Sequence, residues 1–284
     1  MVGGVQPSAQ AKAGSRHPTL CRFGHPIKLV RMETTLLLAA AGFIAGAMNS
    51  IAGGGSFVTF PALVAAGVPP VAANASSTVA LFPGSIAGAV GYRAEFRPFQ
   101  GVHVGALLAV SLAGGVFGAL LLLATPAATF DTVIPWLLLL ATLVFAVGRQ
   151  VGAKLRQVAR IDARILLTVQ FLTAIYGGYF GGAVGVMMMA VWSLFGIDDI
   201  KAMNAAKTLL VGVTNSVAVA CFIAAGQVFW PQTAIMLLAA VAGGYAGARV
   251  GRRMNPRHVR AGITVLNVAM TAAFFLRSYL RAGA

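Results

Sequence analysis

The apolar residues of the chain fall in long runs, and six of these have the length of a membrane-crossing helix: 71–92, 102–124, 131–148, 201–224, 232–250 and 259–280. A helix needs about 20 predominantly apolar residues to cross the hydrocarbon core of a bilayer. Two further apolar stretches, 34–67 and 165–196, are broken near their centres by glycine, the first at Gly53, Gly54 and Gly55, the second at Gly181, Gly182 and Gly185. A stretch of about 34 residues would extend about 50 Å as a helix, too long for one perpendicular span and too short for two. The arm after the first break, 56–66, would reach only about 16 Å. Each broken stretch is therefore either one bent, tilted span or a re-entrant hairpin with its tip near the midplane. The pattern predicts an all-α polytopic membrane protein.

The pattern also repeats. Ala72-x-Asn74-Ala75-x-x-Thr78 returns as Ala202-x-Asn204-Ala205-x-x-Thr208, an offset of 130, and Ala113-Gly114-Gly115-x-x-Gly118-Ala119 returns as Ala242-Gly243-Gly244-x-x-Gly247-Ala248, an offset of 129. Pro126 matches Pro256, and the two glycine breaks correspond. Several matches in the same order point to two tandem repeats. The first covers 32–150 and the second 165–284, with a basic linker at 151–164. Each holds one Gly-broken or re-entrant helix followed by three transmembrane helices. Residues 1–31 are polar, carry five Lys or Arg and have no signal-peptide core. They are expected to be a disordered arm or an over-extended start, because Met32 opens Met-Glu-Thr-Thr-Leu-Leu-Leu in the manner of a natural beginning.

Composition agrees with a membrane setting. The chain is 58% hydrophobic and 10% charged, with a mean hydropathy of +0.85, too little charge to coat a water-facing surface. The net charge of +15 would suggest nucleic acid in a soluble protein. Here the basic residues sit in short loops between spans, at Arg93 and Arg97, in 149–164 and in 249–260. That placement is the positive-inside signature, with anionic lipid as the partner and no role for nucleic acid. The loops at 125–130 and 225–231 lack Lys and Arg and are expected to face outward. Passing from Arg164 inside to Gly226 outside takes an odd number of crossings. The span 201–224 supplies one, so 165–196 returns to the side it entered. This favours hairpins and makes the two repeats inverted; eight conventional spans is the alternative. The same count places residue 32 outside, against the basic arm that precedes it, a conflict that vanishes if Met32 is the start.

Enzyme chemistry finds little support. Gly53-x-Gly55 lacks the final glycine and the βαβ setting of a dinucleotide loop. The histidines His17, His25, His103 and His258 lie in the tail or loops, and Cys21 and Cys221 are far apart. No catalytic group, metal or cofactor is expected. The paired GGxxG segments have the small-xxx-small spacing of close helix packing. Asn74, Ser77 and Thr78 share one helical face, and Asn204, Lys207 and Thr208 form its counterpart. Such faces either carry substrate at a repeat interface or hydrogen-bond the bundle together. Lys207 stands where the first repeat has Ser77 and is the lysine set well inside an apolar segment. It either snorkels to the interface, is compensated by Asp198 and Asp199, or pairs with an anionic substrate. The broken stretches add Asn49, Gly54, Gly55, Ser56, Gly182 and Gly185, where short helical arms begin with backbone N–H groups that attract anions. The six acidic residues fall at span ends or in loops, which argues against a carboxylate relay for protons or sodium. Together these residues describe a site for a small oxyanion.

Asn49-Ser50-Ile51-Ala52-Gly53-Gly54-Gly55-Ser56, Gly67-Val68-Pro69-Pro70 and Ala72-Ala73-Asn74-Ala75-Ser76-Ser77-Thr78 resemble the TauE/SafE family of sulfite and organosulfonate permeases. Tyr179-Phe180-Gly181-Gly182-x-x-Gly185 and Asn204-Ala205-x-Lys207-Thr208 resemble the second repeat of that family. The resemblance spans nearly everything from Met32 onward and implies a bacterial inner-membrane carrier of sulfite, sulfonates or similar anions. Export is the expected direction, since an inside-negative potential favours expelling a negative charge by about 2.3 kcal/mol per 100 mV. An anion channel and an uptake permease for another small organic anion are the alternatives. A homodimer is a further expectation.

Overall fold

A computed structural model describes residues 32–51, 54–91, 96, 102–155, 163–182, 184–194, 200–251, 261–262, 264–265 and 268–276. The arm 1–31, Gly53, the basic clusters around Arg93 and Arg97 and at 252–260, residues 156–162 of the linker, Asp198 and Asp199 lie outside the described residues, as does the side chain of Asn204. The described residues form α1 (Met32–Ile51), α2 (Ser56–Ala65), α3 (Pro70–Gly91), α4 (Val104–Ala124), α5 (Ala127–Leu155), α6 (Ala163–Tyr179), α7 (Val184–Leu194), α8 (Ile200–Ala224) and α9 (Trp230–Gly251), with a further helical segment at 268–276. Four stretches among them are long and apolar enough to cross a membrane: Met32–Ser50, Val104–Ala124, Ala127–Val144 and Ala205–Ala224.

Local chemistry sets several helix ends. Gly67 adopts φ +83°, its N–H bonds to the Val64 carbonyl and the next N–H to that of Leu63, so α2 closes on a left-handed glycine. Pro70 then opens α3, where its missing N–H costs nothing. The expected loop 125–130 shrinks to Thr125 and Pro126, because the Pro126 carbonyl accepts the Phe130 N–H and starts α5 at once. At its other end α5 continues to Leu155, so helix extends into the first residues of the linker rather than stopping at 148.

Both glycine breaks turn the chain back on itself, and the arms of each hairpin are unequal. In the second hairpin a Cβ on Gly177 would lie 2.8 Å from Val184 Cγ2. Further from the turn, Trp192 Nε1 donates to Gln170 Oε1 at 3.3 Å. Moving back along α6 thus matches moving forward along α7, which is an antiparallel pair. In the first, Gly55 returns to α1, where a Cβ on it would lie 2.6 Å from the Ala45 carbonyl oxygen. At 1.5 Å per residue α1 is about 30 Å long and α2 about 15 Å, so the returning arm is half as long as the outgoing one.

Helix contacts come in matched pairs across the two halves. α1 packs along α9 as α4 packs along α6; α3 meets α9 as α4 meets α8; α3 and α8 pack on each other. The GGxxG segments form the seams. A Cβ on Gly114 would meet Ala174 and the Phe171 carbonyl, and one on Gly243 would meet the Phe43 carbonyl. Gly118 rests on Ile175 and Tyr179, and Gly247 on Ala47 and Ser50. Each segment therefore seats the first helix of the other half. Thr142 and Thr271, 129 residues apart, share a buried hydrogen bond of 3.0 Å.

Candidate functional site

The first turns of α3 carry Asn74, Ser77 and Thr78, with 1%, 1% and 7% of their surface exposed, and each is engaged. Ser77 Oγ lies 2.6 Å from Thr59 Oγ1 of α2, which ties α3 to the first hairpin. Asn74 Nδ2 donates to the Tyr179 carbonyl at 2.9 Å, capping one of the acceptors left over at the end of α6. Thr78 Oγ1 donates to the Asn74 carbonyl at 2.9 Å. Gly181, held at φ +75°, sits so close that a Cβ there would be 3.7 Å from Thr78 Oγ1. One polar face of α3 thus holds α2 on one side and the tip of the second hairpin on the other.

The first hairpin is closed by its own residues. Asn49 Oδ1 accepts the Gly55 N–H at 3.1 Å, and Gly54 makes the turn at φ +90°. Ser56 begins α2, half-buried. In the second hairpin Gly182 is buried against the Phe180 ring. Phe180 in turn packs edge-on against Phe60 of α2, with centroids 5.9 Å apart, so the two hairpins touch through aromatic rings.

In the second half, Gly185 stands in the first turn of α7 directly against the stem of Lys207. A Cβ on that glycine would lie 2.9 Å from Lys207 Cδ and 3.0 Å from Cγ. Thr208 Oγ1 donates to the Ala205 carbonyl at 3.0 Å.

These two groups do not merge into one symmetric cluster. α3 and α8 run antiparallel: Gly212 faces the Ser85 carbonyl, while Ser76 Oγ accepts the Phe229 N–H beyond the end of α8 at 3.0 Å. Thr78 and Lys207 therefore lie towards opposite ends of the pair. What joins them is the tip of the second hairpin, with Gly181 beside Thr78 and Gly185 beneath Lys207.

Residues 38–274 match the family "Sulfite exporter TauE/SafE". The chain belongs to this family. Among curated relatives, a "Probable membrane transporter protein" of Haemophilus influenzae is 26% identical over 86% of this chain and 95% of its own length. The "Probable membrane transporter protein YfcA" of Escherichia coli K12 is 30% identical over 87% and 93%, and a "Probable membrane transporter protein ORF9" of Sinorhizobium is 29% identical over 82% and 89%. No solved structure matches the chain significantly. The chain is thus a multi-pass membrane transport protein.

Sequence reasoning passed over three participants. Thr59 and the Tyr179 carbonyl carry no motif that marks them as partners of α3. Gln170 was detectable in principle as an amide in the middle of an apolar stretch. Its Nε2 donates to Ser111 Oγ at 2.9 Å and its Oε1 accepts from Trp192, which binds α4, α6 and α7 together. Replacing Asn74 by Ala removes an interhelical bond of the kind worth about 0.6 to 1.7 kcal/mol in membranes. The expected result is a lowered thermal unfolding midpoint in detergent, with the protein still folded.

Proposed function

We propose that the second hairpin tip, with the polar residues it touches, carries sulfite, sulfonates or similar sulfur-containing anions outward across the bacterial inner membrane. The observation that supports this most is the placement of Lys207 against Gly185 in the first turn of α7. A helix start offers unpaired backbone N–H groups and the positive end of its dipole, and a lysine beside it adds to the positive field. An intramembrane cation is costly unless an anion or a polar partner uses it. Asn74 and Thr78 supply hydrogen-bonding groups across the tip. Their near-complete burial describes a closed state, so substrate access requires the hairpin tip to move away from α3. The basic loops hold the protein against anionic lipid on the cytoplasmic side.

Purified protein in proteoliposomes tests this. Sulfite flux should saturate with concentration and should speed up when the imposed potential favours outward movement of negative charge. Flux that ignores the potential excludes net charge movement; flux that never saturates indicates a channel; no sulfite or sulfonate flux removes the substrate assignment.

A further inference from the structure

Thr214 lies in the middle of α8, with 0% of its surface exposed and no hydrogen-bond partner for its hydroxyl. Elsewhere among the described residues seven threonines return their hydroxyl to the carbonyl four residues back. That is the usual refuge of a helical threonine, and Thr214 does not take it. Buried polar groups without partners are rare and call for a cause.

Its position suggests one. Thr214 sits where α8 packs on α4 and α6: a Cβ on Gly115 would lie 2.8 Å from its carbonyl oxygen and 3.1 Å from its methyl, and the same methyl lies 3.3 Å from where a Cβ on Gly177 would be. The second hairpin therefore sets three glycines against three polar residues: Gly181 by Thr78, Gly177 by Thr214 and Gly185 by Lys207. Lys207 and Thr214 are seven residues apart, two turns along one face and about 10 Å in rise. Asn215, 8% exposed, adds a second unpartnered side-chain oxygen beside it.

We propose that Thr214 is a substrate contact, whose hydroxyl donates to an oxyanion beneath the hairpin tip, one station beyond Lys207. This rests on the anion transport proposed above. A cation is disfavoured there, because the Lys207 charge on the same face repels it through a medium of low dielectric constant. A hydroxyl, by contrast, can donate to an oxyanion.

The experiment compares wild type, Thr214→Val and Thr214→Ser, each assayed for sulfite flux in proteoliposomes and for thermal unfolding with and without sulfite. Val keeps the shape and removes only an uncompensated hydroxyl, so the sulfite-free protein should be at least as stable as wild type. Its half-saturating sulfite concentration should rise about tenfold or more, in line with losing a hydrogen bond to a charged group, and the stabilisation by sulfite should disappear. Ser should restore both to within about threefold of wild type. Thr214→Ala gives the same comparison if the Val variant does not accumulate. Wild-type saturation and wild-type sulfite stabilisation in the hydroxyl-free variant overturn this assignment alone. A wild-type protein that moves no sulfite overturns it together with the substrate assignment.

Discussion

Lys207→Met is expected to lower sulfite flux by about a hundredfold while leaving the folded protein as abundant and as stable as wild type. Methionine retains an unbranched apolar stem of similar length, so the packing of Lys207 Cγ and Cδ against Gly185 survives. What disappears is the charge. Hydrogen bonds to charged groups contribute about 1.5–3 kcal/mol, and the upper end of that range corresponds to about two orders of magnitude in binding. Lys207→Ala should lose flux to the same extent but also loses the stem, so a modest fall in thermal stability accompanies it. The pair of variants separates charge from packing. Flux retained in both would assign the lysine to snorkelling, with its ammonium at the interface and no part in transport. Gly185→Ala offers an independent check, since its new methyl would press on the lysine stem and displace the ammonium without removing it.

Much of this architecture is legible in the sequence, because bilayer physics constrains sequence strongly. Backbone groups in hydrocarbon must be satisfied within the helix, so apolar runs translate almost directly into helices, and α3, α4, α8 and α9 begin and end within about two residues of their expected bounds. The GGxxG seams were legible for a similar reason: helices approach closely only where side chains are absent. α5 was less so. Its first turn is written in small, weakly apolar residues that hydropathy reads as loop, although the Pro126 carbonyl can start a helix there. The candidate site was legible as residues but not as geometry. Periodicity placed Asn74, Ser77 and Thr78 on one face of α3, yet nothing in their spacing shows that Asn74 reaches a carbonyl 105 residues away. The repeat marked the two polar faces as a site at the repeat interface or as interhelical hydrogen bonds. Their helices run antiparallel, so the faces diverge, and it is the glycines of one hairpin that bring Thr78 and Lys207 under a common element. Thr214 escaped notice because an isolated threonine in an apolar helix is ordinary; only its unpartnered hydroxyl singles it out.

Gly118→Val is expected to be the most damaging single change in stability, abolishing folded protein at ordinary expression temperatures. A Cβ at this position would overlap the Ile175 carbonyl and lie 2.8 Å from the Tyr179 nitrogen. Both are backbone atoms of α6, which cannot rotate out of the way as a side chain would. α4 and α6 would have to separate along their shared seam. Overpacking of even well-tolerated cores costs about 1–3 kcal/mol, and a branched side chain against fixed backbone belongs above that range. Gly247→Val should do the same on the other seam, since its Cβ would lie 2.6 Å from Ala47 Cα and 2.8 Å from the Ala47 carbonyl oxygen. Gly105→Ala is the counterpart without consequence: nothing stands within 4 Å of its added methyl, and alanine favours the helix. Size-exclusion profiles and thermal unfolding of detergent-solubilised variants give the answer. Equal losses at Gly118 and Gly247 would mean that both seams bear the same load. A tolerated valine at Gly118 would show that α6 can shift along α4. The second hairpin, which begins with α6, would then move as a unit rather than opening at its glycine tip, with Thr78, Thr214 and Lys207 uncovered together.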